Sequence, residues 1–506
     1  MSSIVSEPLF RRTMPLVHAL LKQREIWLAL VAVLPLAVLL RHAVVANTDV
    51  SWGITMAEKV LAGAWPYVDF IEPNPPSYIY LYVLPVIIAR LTGLSPELVL
   101  DCLVFIVSGI SLWVSGRILL RAKLLERFES AKLLALVMTV LAVLPAQTFA
   151  EREHIAVALF LPMLSVMVVR AAGGKPSWSD IVVAGVGAGA MIVLKPHLAL
   201  GLAATIAMAA WSARSWAILV AVENWIAFAL VAAYGAAIAL VFPQFLSEIV
   251  PLLRAIYLPV RRSLPDLIIG RPAIPIWIIT LVALALLRRS ERYDRLYGIL
   301  VAASVGFAGS YFVQGKGWPY HSYPMVAMGL IALACAMSER RAQARTPLER
   351  GGWAVVAGAL AAATLTWMNV ANSLTSLVAP IRQIKPHPTL LAITHDISVG
   401  HPLVRQVEGT WVLGAPCLWV TSGALWSRAH ETLSPEESAE IDRYIAADRA
   451  LMIDALRRNP DVIVIQKEPA DWEKWARADA EIAALLKPYR EAVTIPEMLV
   501  LRRGGS

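Results

Sequence analysis

The chain has little cysteine, little charge and none of the short motifs of soluble enzymes. Its 506 residues include three cysteines, Cys102, Cys335 and Cys417, which lie far apart and offer neither a disulfide framework nor a CxxC metal site. Only 16% of the residues are charged and 58% are hydrophobic. No GxSxG, HExxH or Walker pattern occurs. These absences exclude a small secreted disulfide-rich domain and argue against a soluble globular enzyme.

The apolar residues are concentrated in long runs. Most runs are about 16 to 22 residues long, which lets a helix rising ~1.5 Å per residue cross ~30 Å of hydrocarbon. A membrane β-barrel would show short alternating segments instead. The sequence therefore predicts an α-helical polytopic membrane protein with about eleven transmembrane helices, over residues 27–45, 98–119, 131–149, 155–171, 180–195, 197–212, 222–242, 273–289, 297–313, 322–337 and 352–370.

The basic residues indicate the orientation. They concentrate at the N-terminus and in the connections 117–132, 288–295 and 340–350, which the predicted spans place on one side. The positive-inside rule assigns that side to the cytoplasm, and the same bias explains the net charge of +8 without nucleic acid. Counting segment 77–93 as a further span would move residues 117–132 outside. We therefore interpret 77–93 as an interfacial or re-entrant part of a first external loop, 46–97.

The end of the chain, residues 371–506, has the charge density of a soluble protein. Ser434, Pro435 and Glu437 form a capping-box start for a helix. Further elements are predicted as strands at 460–466 and 498–502 and as a helical stretch at 470–488. The sequence thus predicts a transmembrane domain over 1–370 and a small C-terminal α/β extracytoplasmic domain.

The first external loop is rich in polar side chains. Asp49 directly follows the first apolar run, where a carboxylate can act as the general base for an acceptor hydroxyl. It can equally serve as the N-cap of a following amphipathic helix. Four more candidates follow in a proline-rich stretch: Tyr67, Asp69, Glu72 and Asn74. They either bind hydroxyls of a sugar or acceptor or satisfy the backbone of their own loop.

A second group of polar residues lies in a very short predicted external turn. Its members are Glu151, Arg152, Glu153 and His154. Arg152 and His154 can contact a phosphate, and His154 and the two acids can bind a sugar or acceptor. The acids can also supply oxygen ligands to a divalent cation. The alternative is that the four side chains only solvate a tight turn at the interface.

Two breaks between apolar runs carry cations and histidines. Lys195-Pro196-His197 interrupts what would otherwise be one long helix, and an ionisable residue at such a break is a functional hypothesis. Lys195 can bind a lipid phosphate or simply extend to the interface. Lys316 and His321 lie in a second break. We predict Lys316 as a phosphate ligand and both histidines as sugar or acceptor ligands.

The first external loop resembles that of the polytopic GT-C glycosyltransferases, in the branch that contains protein mannosyltransferases and the lipid A aminoarabinose transferase. The resemblance rests on Asp49 after the first span, on the stretch from Gly63 to Asp69, and on Asn74-Pro75-Pro76 before an interfacial segment. It covers residues 25–370 best. The resemblance implies a GT-C fold, a polyprenyl-phosphate sugar donor and transfer on the external side.

The resemblance also implies roles for individual residues. Asp49 would be catalytic, and Lys195 would meet the donor phosphate, as the lysine in the middle of the membrane domain does in the aminoarabinose branch. Glu151 and Glu153 lie in the second external loop, where some members carry an acidic motif. Val50 follows Asp49 in place of a second acid. The C-terminal region resembles no carbohydrate-binding module.

Together these features predict an inverting transferase that moves a sugar from a polyprenyl-phosphate donor to a lipid, glycan or protein acceptor. We expect it in the bacterial inner membrane with a cytoplasmic N-terminus and a periplasmic C-terminal domain, although the residues do not distinguish this from an endoplasmic reticulum membrane. No cofactor is implied, and a divalent cation stays open. The alternatives are a flippase or transporter of a lipid-linked sugar, which should show mid-span charges and inverted repeats, and a ligase or polymerase of lipid-linked glycans.

Overall fold

The computed structural model describes residues 24–125, 127–287, 294–341, 346–369 and 374–504. Helices account for most of this part of the chain, and one small sheet lies near its end. In chain order the helices are α1 (Arg24–Ala43), α2 (Thr48–Leu61), α3 (Pro76–Leu81), α4 (Val83–Thr92), α5 (Pro96–Arg121), α6 (Arg127–Met138), α7 (Arg152–Ala171), α8 (Trp178–Leu194), α9 (Ala199–Ala213), α10 (Val222–Val241), α11 (Val250–Leu252), α12 (Leu264–Ile268), α13 (Ala273–Leu287), α14 (Asp294–Gln314), α15 (Pro319–Arg341), α16 (Pro347–Met368), α17 (Thr375–Ile384), α18 (Ile397–Gly400), α19 (Leu403–Gln406), α20 (Trp419–His430), α21 (Pro435–Arg457), α22 (Trp472–Ala478) and α23 (Ala480–Leu486).

Seven helical segments within the described ranges are long and apolar enough to cross a membrane. Their bounds are Pro96–Arg121, Arg152–Ala171, Pro196–Ala213, Trp216–Val241, Asp294–Gln314, Pro319–Glu339 and Gly351–Met368. An eighth results if the end of α1 and α2, which are bent by 75° relative to each other, count as one broken span. The predicted α-helical polytopic fold class is confirmed, because each of the seven overlaps a predicted span. The count of eleven is not confirmed and stays a prediction.

Several shorter elements also agree with the sequence. The segment 77–93 forms two short helices, α3 and α4, that meet at Tyr82. A break in helix geometry occurs at Lys195, which ends α8 in an extended conformation. Pro196 then begins a 3-10 turn that leads into α9. Proline cannot continue the hydrogen bonding of the preceding helix, which explains the break.

The interior of the helical part is built around α7. In the apolar window of α7, 89% of the residues are buried, against 6% in the window Trp216–Val241 that contains α10. Helix α8 packs on α7 through Gly187, where a Cβ would lie only 2.3 Å from the backbone oxygen of Leu159. The glycines of α8 therefore serve helix packing, as in other membrane bundles.

The C-terminal sheet has five strands in the order β2-β1-β3-β5-β4. These are β1 (Thr389–Ile393), β2 (Thr410–Trp411), β3 (Val462–Gln466), β4 (Tyr489–Ile495) and β5 (Met498–Arg503). Strand β1 pairs in parallel with β2 and β3, and β5 pairs antiparallel with β3 and β4. The two predicted strands and the capping box of Ser434 and Glu437 are confirmed. The predicted helical stretch 470–488 consists of two helices, α22 and α23.

The sheet shares a hydrophobic core with the first external loop. Buried side chains of α2 and α3, such as Trp52 and Tyr78, belong to the same cluster as Leu390 and Leu391 of β1. Phe70 and Leu413 also belong to this cluster. The C-terminal region is therefore packed directly on the loop that carries most of the predicted site.

Candidate active site

Asp49 lies in the first turn of α2. The N-cap of this helix is Asn47, whose side chain accepts a hydrogen bond from the backbone N–H of Asp49. The alternative role of Asp49 as the N-cap is therefore wrong. Its carboxylate is free of the capping bond, and its Oδ2 lies 3.4 Å from an Arg152 guanidinium nitrogen. The Tyr78 hydroxyl donates to the backbone oxygen of Asp49 and fixes the start of the helix.

The group Glu151 to His154 does not form an exposed turn. Glu151 is the N-cap residue of α7, and Arg152, Glu153 and His154 form its first turn. Each of the four is at most 2% exposed. This corrects the predicted interfacial turn and excludes simple solvation, because a buried charge is stable only when it is paired. Both carboxyl oxygens of Glu151 lack a hydrogen-bond partner among the described residues.

Lys195 reaches into the same buried cluster. Its ammonium lies 2.9 Å from Glu153 Oε1, and the side chain is 8% exposed. His321, in the first turn of α15, approaches the same oxygen at 3.6 Å. The break after α8 therefore directs Lys195 inward, and Lys195 does not extend to the interface.

Arg152 connects the first external loop to this cluster. One guanidinium nitrogen donates to the side-chain oxygen of Asn74, and another lies near Asp49. The guanidinium carbon lies 4.0 Å from the centre of the Tyr78 ring, in the geometry of a cation–π contact. Arg152 is thus held by three neighbours from the first loop, and only one of them carries a charge.

Glu72 is hydrogen-bonded to Asn74, which in turn contacts Arg152. The buried Glu72 carboxylate accepts hydrogen bonds from Trp52 Nε1 at 2.7 Å and from the backbone and side-chain N–H groups of Asn74 at 2.8 and 2.6 Å. The Tyr67 hydroxyl donates to the backbone oxygen of Asn74 at 2.8 Å. Burial raises the pKa of Glu72 to about 7, although these hydrogen bonds oppose the shift. Glu72, Tyr67 and Asn74 are therefore engaged within the loop, as one of the two sequence-based alternatives expected.

Two predicted histidines are also engaged elsewhere. His154 accepts from the backbone N–H of Ala150 at 3.1 Å, and its other ring nitrogen lies 2.7 Å from the backbone oxygen of Leu141. Both ring nitrogens are therefore used, and none is left for a substrate. The Gln314 side-chain amide contacts a ring nitrogen of His197 at 2.7 Å.

Lys316 and Asp69 stabilise loops. Lys316 donates to the backbone oxygens of Tyr257 at 2.6 Å and Val260 at 2.5 Å, so two of its three donor positions are engaged without a phosphate. Asp69 is exposed and accepts from the backbone N–H of Trp65 at 2.6 Å. The structure therefore brings Asp49, Glu151, Arg152, Glu153, Lys195 and His321 together and places the other candidates around them.

Three residues of this region were not singled out from the sequence. Trp52 follows Asp49 by three positions on one helix, which places both on neighbouring parts of its surface, and this spacing could have identified it. Tyr78 lies two positions after Pro76 in the first loop. Tyr257 offers no such signal. Burial raises the pKa of Tyr257, and the charge of Asp49 raises it further, so Tyr257 lies near the cluster.

The described residues contain no group of three or more His, Cys, Asp or Glu side chains that could hold a metal ion. The acids of the cluster are instead interleaved with cations: Arg152 lies near Asp49, and Lys195 lies near Glu153. Such an arrangement can bind an anion, while a carboxylate beside it can accept a proton.

No family model and no curated protein sequence matches the chain. Among solved structures, it is similar to ArnT from Cupriavidus metallidurans bound to undecaprenyl phosphate, with a TM-score of 0.55 and 13% identity over 94% of this chain and 98% of that chain. The same protein in the apo state gives a TM-score of 0.54 and 12% identity over 93% and 97% of the two chains. ArnT is a lipid A aminoarabinose transferase of the GT-C fold. The GT-C fold predicted from the first external loop is therefore confirmed.

Proposed function

We propose that this protein is a membrane glycosyltransferase that takes a sugar from a polyprenyl-phosphate donor. The observation that carries the proposal is the cluster in which Arg152 lies beside Asp49 and Lys195 lies beside Glu153. It lies in a fold similar to that of a protein solved with undecaprenyl phosphate. The cluster combines cations for a phosphate with a carboxylate for a hydroxyl proton.

In the proposed mechanism, Lys195 and Arg152 hold the donor phosphate at the mouth of the helical bundle. Their charges orient the anomeric carbon and stabilise the negative charge that develops on the departing lipid phosphate. Glu153 holds Lys195 in place before the donor binds. Asp49 accepts the proton of the acceptor hydroxyl while the oxygen of that hydroxyl attacks the anomeric carbon from the side opposite the phosphate. The reaction then inverts the configuration of the sugar.

The orientation in the membrane is part of the proposal. The basic connections support a cytoplasmic N-terminus through the positive-inside rule, and in that orientation the cluster and the C-terminal α/β region would face the periplasm of a bacterial inner membrane. A lipid, glycan or protein acceptor would approach between the first external loop and the C-terminal region. Division of the chain into a transmembrane domain, 1–370, and a soluble domain, 371–506, follows the change in composition.

The test compares the wild type with Asp49→Asn in lipid discs. Both receive a panel of polyprenyl-phosphate sugars with an envelope extract that supplies acceptors, and release of free polyprenyl phosphate is measured. Asp442→Asn is the matched control, because Asp442 is an exposed acid of α21 that pairs with Arg428. We expect release by the wild type and the control, and donor binding without release by Asp49→Asn.

Three outcomes would contradict the proposal or a part of it. Transport of the donor across the bilayer without release of polyprenyl phosphate would support a flippase. Release by Asp49→Asn at the wild-type rate would remove Asp49 from the reaction. Transfer of whole glycan chains, detected by the size of the product, would support a ligase or polymerase.

A further inference from the structure

The C-terminal α/β region is attached to the first external loop by polar contacts as well as by the shared core. Arg405 pairs with Glu58 of α2 at 2.9 Å and also with Glu97 of α5. Lys59 donates to the backbone oxygen of Trp411 at 3.0 Å. An arginine that bridges carboxylates on two helices restricts orientation as well as distance, so these contacts hold the C-terminal region against α2 and α5.

Trp52 lies at the centre of this attachment. It is 1% exposed, and its ring centre lies 5.2 Å from that of His401. His401 in turn lies 4.7 Å from Trp411. Among the described residues, neither ring nitrogen of His401 has a hydrogen-bond partner, so His401 contacts Trp52 through ring packing. The C-terminal region thereby determines where the indole of Trp52 lies.

The indole N–H of Trp52 begins a continuous series of polar contacts that ends at Asp49. Trp52 donates to Glu72, and Glu72 accepts both N–H groups of Asn74. The side-chain oxygen of Asn74 accepts from Arg152, which lies beside the Asp49 carboxylate. Each step joins groups that are buried or partly buried, where water competes little with the hydrogen bonds.

We propose that the C-terminal α/β region positions Arg152 and Asp49 for reaction through Trp52, Glu72 and Asn74, so that Trp52 is a positioning residue of the site. This inference rests on the proposed function and gives the C-terminal region a role in it. The region is then an integral part of the catalytic site, and the first loop alone does not hold the correct geometry.

The first test is Trp52→Phe, which keeps an aromatic ring against His401 and removes the N–H. The matched control is Trp472→Phe, because Trp472 is also buried and donates its N–H to His395 at 2.9 Å within the C-terminal region. A small misplacement of reacting groups costs up to ~100-fold in rate. We expect kcat to fall about 10- to 100-fold in Trp52→Phe, and the control to keep wild-type values. Equal losses in both variants would overturn the proposal.

A second test separates positioning from general damage to the fold. In a Glu72→Gln background, the series of contacts from Trp52 to Asn74 is already altered. Adding Trp52→Phe should therefore lower kcat by less than about a further twofold, which is the deviation from additivity usual for independent sites. Trp472→Phe should have the same small effect in either background. Full additivity of Trp52→Phe and Glu72→Gln would show that Trp52 does not act through Glu72.

A third measurement does not depend on activity. Hydrogen exchange in lipid discs should become faster at the Asn74 amide in Trp52→Phe, because that N–H donates to Glu72, and should stay unchanged in Trp472→Phe. Unchanged exchange in both variants would overturn the proposed positioning. Faster exchange in Trp52→Phe together with a wild type that releases no polyprenyl phosphate would support the positioning and refute the transferase.

Discussion

The ammonium of Lys195 lies 2.9 Å from the carboxylate of Glu153, in a site where the two side chains are 8% and 0% exposed. The contact joins the break after α8 to the first turn of α7. Each charge is stable there because the other is present. The pair thus links the predicted phosphate ligand to α7, one of the two candidate spans in the described part of the chain whose apolar segment is 89% buried.

This pair allows the contribution of Lys195 to protein stability and its contribution to activity to be measured separately. Lys195→Met leaves Glu153 buried without its partner, and removal of one member of a buried pair costs about 3–5 kcal/mol. The double variant Lys195→Met/Glu153→Gln removes both charges and should regain most of the lost thermal stability. We expect it to release no more polyprenyl phosphate than the single variant. Recovery of activity along with stability would show that Lys195 does not contact the donor.

Glu72 should make stability depend on pH. Its pKa is raised from 4.5 to about 7 by burial, so the folded protein binds this proton more tightly than the unfolded chain. Stability is then greatest below pH ~4.5 and falls as the pH rises through 7, by an amount on the order of 3 kcal/mol. Melting temperatures measured from pH 5 to 8 should show a smaller decline for Glu72→Gln. Parallel curves for the two proteins would contradict the shift.

Gly187 should tolerate no side chain. A Cβ there would lie 2.3 Å from the backbone oxygen of Leu159, so α7 and α8 would have to move apart. We expect Gly187→Ala to lower stability by about 1–3 kcal/mol, as other overpacking substitutions do. Gly235→Ala is the control, because no described atom outside the adjacent backbone of α10 lies within 4 Å of a Cβ at that position. It should be neutral or stabilise by up to ~1 kcal/mol.

Replacement of Lys316 should affect the stability of a loop more than the binding of the donor. Its ammonium donates to the backbone oxygens of Tyr257 and Val260 and lies 3.9 Å from the Tyr257 ring. Lys316→Met removes these bonds and should lower the melting temperature, because each buried acceptor left unpaired costs about 1–3 kcal/mol. The donor KM should change less than in Lys195→Met. A larger rise of KM in Lys316→Met would restore the phosphate role predicted from the sequence.

The local features of this fold are the ones that the sequence predicts well. Apolar runs, the capping box at Ser434 and the helix break at Lys195 each depend on residues that are neighbours in the chain. The burial of residues 151–154 does not follow from the local sequence. Four ionisable residues between two apolar runs give the same sequence pattern whether their side chains are exposed or buried. Partners from separate parts of the chain, such as Lys195 and His321, distinguish the two cases.

The contact between Trp52 and His401 could not be predicted from the sequence for the same reason. No periodic pattern connects residues so far apart, and the parallel strands β1, β2 and β3 were recognised only in part. The chemical roles of Asp49, Arg152 and Lys195 stay predictions, because geometry brings them together without determining what they bind. The experiments above address those roles directly.

The core shared by the first external loop and the C-terminal sheet also constrains the order in which contacts form during synthesis of the chain. Trp52 leaves the ribosome early and His401 late, and the helical bundle is synthesised between them. Contacts between such distant residues form only after the intervening chain has been arranged. The packing of Trp52 against the C-terminal region is therefore completed last. A product of translation that stops before β1 lacks His401 and Trp411 against Trp52, so an incomplete chain reaches the membrane without an assembled site.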